Sequence, residues 1–279
     1  MSRFDWTPLL AAVGILRYHK LDVCVGGEAA FAYYNALFLD YDAGDGPVFE
    51  IIVPDDSYAA APGLLCSTGL FTPIDAPDST DFDGGWRSSN NFPHLATTGW
   101  NTSPSPVAIV PDVRVAIYLD RRICSLVNLA DCISDFGHSP DLEGLDRDEI
   151  RFLPWPRLPA LVRSLPWRMG HAVCDDEANR TAGGDDDDEG ENGVSELDRK
   201  KAKESLCDAI ADLVDGMDIS TGWAWTYLGV QNRELCELVR KIIAGKKQRI
   251  WDAELDHDVT RGIRDRLQLD TIRSIPGRN

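Results

Sequence analysis

The sequence predicts an α+β protein: a small mixed sheet with flanking helices, followed by a helical C-terminal part. Three observations carry this. Residues 20–54 read as strand, Gly-Gly corner, helix, strand. Runs of β-branched residues recur over 48–53 and 107–119, with helical segments between the strands. From Leu158 onward the apolar spacing changes to the helical period. The expected division is an α/β head over 1–155 and a helical region over 156–279, with an acidic disordered loop at about 175–198.

The first helix is signalled by Thr7 as N-cap and Pro8 at the first helical position, and it runs through Leu9–Val13 to Tyr18. Leu21, Val23 and Val25 alternate with Asp22 and Cys24, a strand pattern that Gly26-Gly27 ends. Glu28–Tyr34 reads as a helix closing at Asn35. Val48–Val53 is the second strand and carries one carboxylate, Glu50. Pro54–Ser57 is a turn and N-cap for a helix through Leu64 and Leu65 that Gly69 closes. Residues 71–105, rich in Asp, Gly, Pro, Ser and Asn, read as a long loop around a short strand, His94–Thr98. Val107–Val110 and Val113–Leu119 are strand material around Pro111-Asp112.

In the second half, Leu158, Leu161, Val162 and Leu165 fit a helix interrupted at Pro166, with resumption through Trp167–Val173 left open. The TAGGDDDDEGENG segment has almost nothing to bury. Beyond it, Leu197–Met217 is a strong amphipathic pattern with Leu206, Ile210, Leu213 and Val214 on one face. Ser220–Leu228 and Arg233–Ala244 follow, the latter with Gly245 at its end, and Asp258–Ile275 reads as a last polar helix.

Composition narrows the function classes. The 279 residues carry a net charge of −18, unevenly spread. Residues 1–198 hold 13 Lys+Arg against 33 Asp+Glu, whereas residues 199–279 hold 15 against 13. An acidic head repels phosphate backbones, so a nucleic-acid substrate is not expected. No apolar run reaches the roughly 18 residues of a membrane span, and the N-terminus lacks a signal-peptide pattern. The seven cysteines are scattered without a C-x-x-C pair, which suits reduced thiols. The expected location is cytoplasmic or nuclear, not secreted. Nothing in the sequence bears on oligomeric state.

Six segments in this order resemble the nucleotidyltransferase-fold superfamily, the DNA-polymerase-β-like group that includes aminoglycoside nucleotidyltransferases. They are VCVGGEAAFAYYN, VFEIIVPDD, LLCSTGLFTP, VAIVP, LPWPRLPALVRSL and IADLVDGMD. More closely, the chain resembles a fungal branch of that superfamily. The resemblance implies Mg²⁺-dependent transfer of a nucleotidyl group from an NTP to a hydroxyl, on a small molecule rather than on nucleic acid.

In that chemistry two carboxylates at i and i+2 share a strand face, because side chains alternate. With a third acid on a neighbouring strand they hold one or two Mg²⁺ on the triphosphate. The resemblance carries Gly26 and Gly27 over as the nucleotide-binding turn, where backbone amides approach phosphates. It makes Glu50 the second strand acid, catalytic and metal-binding. Asp112 is the third acid, with Asp120 as the other choice, and Asp45 is a loop aspartate that completes the metal set. The departure from the family falls at Val48, two residues before Glu50, where an acid is expected.

Each of these residues also has a plainer reading. Gly26-Gly27 makes a tight strand–helix corner, Glu50 a paired strand acid, and Asp112 a turn residue after Pro111. Asp212, Asp215 and Asp218 read as a solvated helix face and stop. His171 and Cys174 lack a second pair for zinc, and His19, His94, His138 and His257 lack a partner motif. Two function classes stand beside the enzyme. One is a catalytically degenerate member, a pseudoenzyme acting as a binding or regulatory module. The other is an interaction protein using Trp223, Trp225 and Trp251, residues that internal packing also explains.

Overall fold

The computed structural model describes residues 5–34, 36, 48–75, 92–98, 105–112, 142, 144–168, 196–217, 219–229 and 232–255. The expected features at Asn35, Asp45, Val113–Leu119, Asp120 and Asp258–Ile275 lie outside them, as does the acidic segment up to residue 195. The architecture is α+β.

Helix α1 (Thr7–Tyr18) starts one residue earlier than the cap expected at Thr7. Thr7 is already helical, and Asp5 Oδ1 accepts from its N–H and its hydroxyl at 3.1 and 2.6 Å, so Asp5 supplies the capping oxygen. Strand β1 is short (Cys24–Val25), and α2 (Gly27–Tyr33) follows directly. Strand β2 covers Phe49–Val53. The single helix expected after it is two, α3 (Asp55–Tyr58) and α4 (Ala61–Ser67), with Pro62 in the first turn of α4. Strand β3 (Phe71–Ile74) lies where a loop was expected, and β4 is His94–Thr97. Strand β5 is Val107–Pro111.

The five strands form one sheet in the order β1-β2-β5-β4-β3. Strands β2 and β5 are parallel, and the other neighbouring pairs are antiparallel. Strand β3 sits at the edge, which is where a strand tolerates Pro73. At the opposite edge the Val25 N–H donates to Pro154 O at 2.9 Å, so residues 153–157 run beside β1 as a strap.

Helix α5 (Arg147–Phe152) opens with a capping box made by Asp146 and Glu149. Helix α6 (Leu158–Arg168) continues through Pro166, against the interruption expected there. Helices α7 (Glu196–Gly216), α8 (Thr221–Tyr227, capped by Ser220) and α9 (Arg233–Leu255) complete the order. Helix α9 runs ten residues past Gly245, which ends nothing. It packs on α7 and α8, and α7 packs on α6. Among the described residues no helix is long and apolar enough to cross a membrane.

One apolar cluster extends from Trp6 and α1 through the sheet to Leu206, Leu213 and Val239. It is continuous across the boundary expected at residue 155. Tyr34 helps to tie the strap down: its hydroxyl donates to Pro156 O at 2.5 Å. Burial, and then the neighbouring Tyr33 hydroxyl, push its phenol well above the usual value, so it stays a neutral donor. Replacing Tyr34 by Phe is expected to cost about 1 kcal/mol, because a buried carbonyl loses its donor. Urea unfolding checks this as a lower midpoint at unchanged slope.

Candidate functional site

Residues opposite one another in register project to the same sheet face, and successive residues project to opposite faces. Phe49, Ile51, Val53, Val107 and Ile109 therefore share the face that enters the main core. Glu50, Ile52, Ala108 and Val110 share the other face. There Cys24, Ile52 and Val110 pack with Ala160 of α6 in a smaller cluster.

The buried polar side chains of this second face, Glu50 and His94, lie in one row. The Gly26 N–H donates to Glu50 O at 2.9 Å, Glu50 stands opposite Ala108, and Ala108 stands opposite His94. Glu50 and His94 thus flank one alanine, two strand spacings or about 9.5 Å apart at the backbone. Both are buried, with relative exposures of 8% and 2%.

Glu50 lies over the start of α2. A Cβ built on Gly27 would meet Glu50 Cδ at 2.9 Å and Oε1 at 3.2 Å. Gly27 also has φ +57°, a left-handed conformation that favours glycine. The corner is therefore glycine for two independent reasons, backbone conformation and space for the glutamate.

His94 is fixed by its own strand entry. Its Nδ1 lies 2.8 Å from Phe92 O. A carbonyl only accepts, so Nδ1 carries the proton and Nε2 the lone pair in the neutral ring. Burial holds the imidazole below its usual value, outweighing the Phe92 hydrogen bond and then the Glu50 charge, which both raise it. Among the described residues Nε2 has no hydrogen-bond partner.

The expected site residues fall as follows. The Gly26 amide is engaged by the Glu50 carbonyl and serves the sheet rather than a phosphate. Gly27 and Glu50 are in direct proximity. Asp112 follows Pro111, the partner of Val53, and is four residues on from Ala108. It lies beyond the end of β5 and outside the ladder that pairs Glu50 with Ala108. Val48 is half-buried and directly precedes β2.

A shared Mg²⁺ would need carboxylates two residues before Glu50 and level with it on the next strand. Those positions hold Val48 and Ala108. Among the described residues no group of three His, Cys, Asp or Glu side chains could hold a metal ion. The described residues do not fit a Mg²⁺–triphosphate, and Asp45 is not among them.

His94, which carries no partner motif in its local sequence, joins the Glu50 row only through the register of β4 on β5 and β5 on β2. Of the tryptophans, Trp223 is buried against Tyr227 with ring centroids 5.4 Å apart, which is internal packing. Trp225 is 44% exposed under the Arg240 guanidinium, 4.8 Å from its ring centroid. The side chain of Trp251 is outside the described set.

Comparison of the chain with protein-family models, curated proteins and solved structures finds no match.

Proposed function

We propose that this chain is a catalytically degenerate nucleotidyltransferase-like protein, acting as a binding or regulatory module. The resemblance of its ordered segments to that superfamily motivates the class. The observation that carries the loss of transfer chemistry is the Glu50 row: its neighbour on β5 is Ala108, and the strand position two before it is Val48. Two further features support it. The Glu50 side chain fills the space above Gly27, and the Gly26 amide is engaged within the sheet.

The competing reading is an active enzyme in which Asp45 joins Glu50 and Asp112 around Mg²⁺ and an NTP. Calorimetric titration of the full chain with each of the four NTPs plus Mg²⁺ separates the two. The degenerate reading expects no Mg²⁺-dependent heat and no pyrophosphate release. Val48→Asp, at a half-buried position outside the ladder, is then expected to raise Mg²⁺ affinity at least tenfold with the fold retained. A wild-type heat that requires Mg²⁺ and disappears in Glu50→Ala establishes the enzyme reading instead.

A further inference from the structure

We propose that His94 is an acid sensor at the seam between β4 and β5: protonating its buried ring releases strands β3 and β4 from the rest of the sheet. The proposal goes beyond the degenerate reading and rests on no part of it.

The seam is narrow. Strands β2 and β5 are paired at five positions and β3 and β4 at four, whereas β4 and β5 are paired at two, His94 with Ala108 and Leu95 with Val107. One further bond extends it, from the Ile109 N–H to Pro93 O at 3.0 Å. Pro93 has no N–H to return that bond. Antiparallel pairs alternate between bonded and unbonded, so Leu95 and Val107 form the next bonded pair and His94 stands between the two, opposite Ala108. Among the described residues, β4 and the edge strand β3 join the rest of the sheet through this seam.

The seam encloses a titratable group. His94 is buried and is the one ionisable side chain on β3 or β4. Its neutral ring satisfies one nitrogen: Nδ1–H donates to Phe92 O, and Nε2 has no partner among the described residues. A proton on Nε2 creates a buried charge and a donor without an acceptor, and both are unfavourable. The residues level with His94, Ala108 on β5 and Ile74 on β3, carry no charge. The charged group that acts on it is Glu50 on β2, beyond Ala108, and its attraction is smaller than the effect of burial. Opening the seam gives the new charge water, which couples protonation to strand release.

Burial holds the closed ring below the usual histidine value, whereas an open, wet ring titrates at about 6.5. The open state therefore binds the proton more readily. Closure is at full strength above that value and weakens as the pH falls through it, the opening constant rising by up to about tenfold per pH unit. Ordinary carboxylates titrate near pH ~4, so the window from about pH 7.5 to about 5.5 isolates histidine. Phe71 and Leu95, buried in the main core, hold the two outer strands on the other face and return them when the ring is neutral. The open state uncovers the edge of β5, a row of unpaired backbone groups.

The test is amide hydrogen exchange of the full chain, corrected for intrinsic rates. Between about pH 7.5 and about 5.5, protection of the Ile109 amide is expected to fall about tenfold. The Phe49 amide, bonded to Pro106 O at 2.8 Å on the far side of the seam, is expected to keep its protection. In His94→Phe, which keeps a ring and takes no proton, the fall at Ile109 should disappear. Should that variant fail to fold, an NMR titration of the wild-type imidazoles gives the second reading: His94 is expected to titrate below about 6.5. No fall at Ile109, an equal fall at Phe49, a fall that survives in folded His94→Phe, or a His94 midpoint at or above the usual value overturns the sensor. Neither measurement uses a nucleotide or Mg²⁺, so failure here leaves the degenerate reading standing, and the reverse also holds.

Discussion

Replacing Trp155 by alanine is expected to remove about 3–5 kcal/mol of stability, the range for emptying a large aromatic site in a core. Trp155 is 2% exposed and lies at the junction of three elements. Its ring stacks on Tyr33 of α2 at 4.6 Å and 14°, and meets Trp6, just before α1, edge-on at 6.4 Å. Its Nε1 donates to Ile150 O of α5 at 2.9 Å. The substitution therefore removes area, aromatic contacts and a buried hydrogen bond together.

The consequences extend along the strap. Pro154 O receives the Val25 N–H and Pro156 O receives the Tyr34 hydroxyl, on either side of Trp155. A loosened Trp155 also exposes the edge of β1. Whole-domain stabilities are about 5–15 kcal/mol, so this one residue supports a large part of the total. Trp155→Phe keeps a ring and loses the donor, and should fall between wild type and alanine. Urea unfolding ranks the three proteins. A loss below about 1 kcal/mol for alanine is far outside the cavity range and would remove Trp155 from the stack.

The sheet centre and the long helices were legible because burial on both faces and helical spacing are local patterns. Val107–Val110 is a continuous apolar run and Val48–Val53 is one broken only by Glu50, as strands covered on both faces require. Leu206, Ile210, Leu213 and Val214 mark the buried stripe of α7. The misses are short or context-dependent. Phe71–Ile74 contains Pro73 in a polar neighbourhood, and only its edge position makes it a strand. Helix α5 spans less than two turns, too little for periodicity, although Asp146 and Glu149 wrote its capping box into the sequence. Pro62 divided a helix that leucine spacing alone joined, whereas Pro166 did not stop α6.

The site divides in the same way. Gly27 and Glu50 were visible as a corner and a strand acid. Their distance in space was not, and neither was the occupation of the corner by the glutamate itself. His94 pairs with Glu50 only through a third strand: 94 opposite 108, and 108 opposite 50. No local pattern encodes that double register. The alternation of His94-Leu95-Ala96-Thr97 says only that His94 and Ala96 share a face.

Gly27→Ala carries the second large effect, expected at about 2–4 kcal/mol. Two contributions combine. Alanine in a left-handed conformation costs roughly 1–2 kcal/mol, and φ at Gly27 is +57°. The new methyl would also sit 2.9 Å from Glu50 Cδ, closer than atoms pack, and overpacking of this kind costs about 1–3 kcal/mol. Glu50 is buried and its backbone is fixed in the β1–β2–β5 ladders, so its side chain must give way. The two contributions separate in a double-mutant cycle. In a Glu50→Ala background the clash is gone and only the conformational cost remains, so the glycine substitution should cost about 1–2 kcal/mol there. A coupling of at least about 1 kcal/mol between positions 27 and 50 is the expected result, within the range for residues in contact. Strict additivity would mean that the glutamate does not rest on the glycine, and the geometry assigned to the row would be wrong at its first contact.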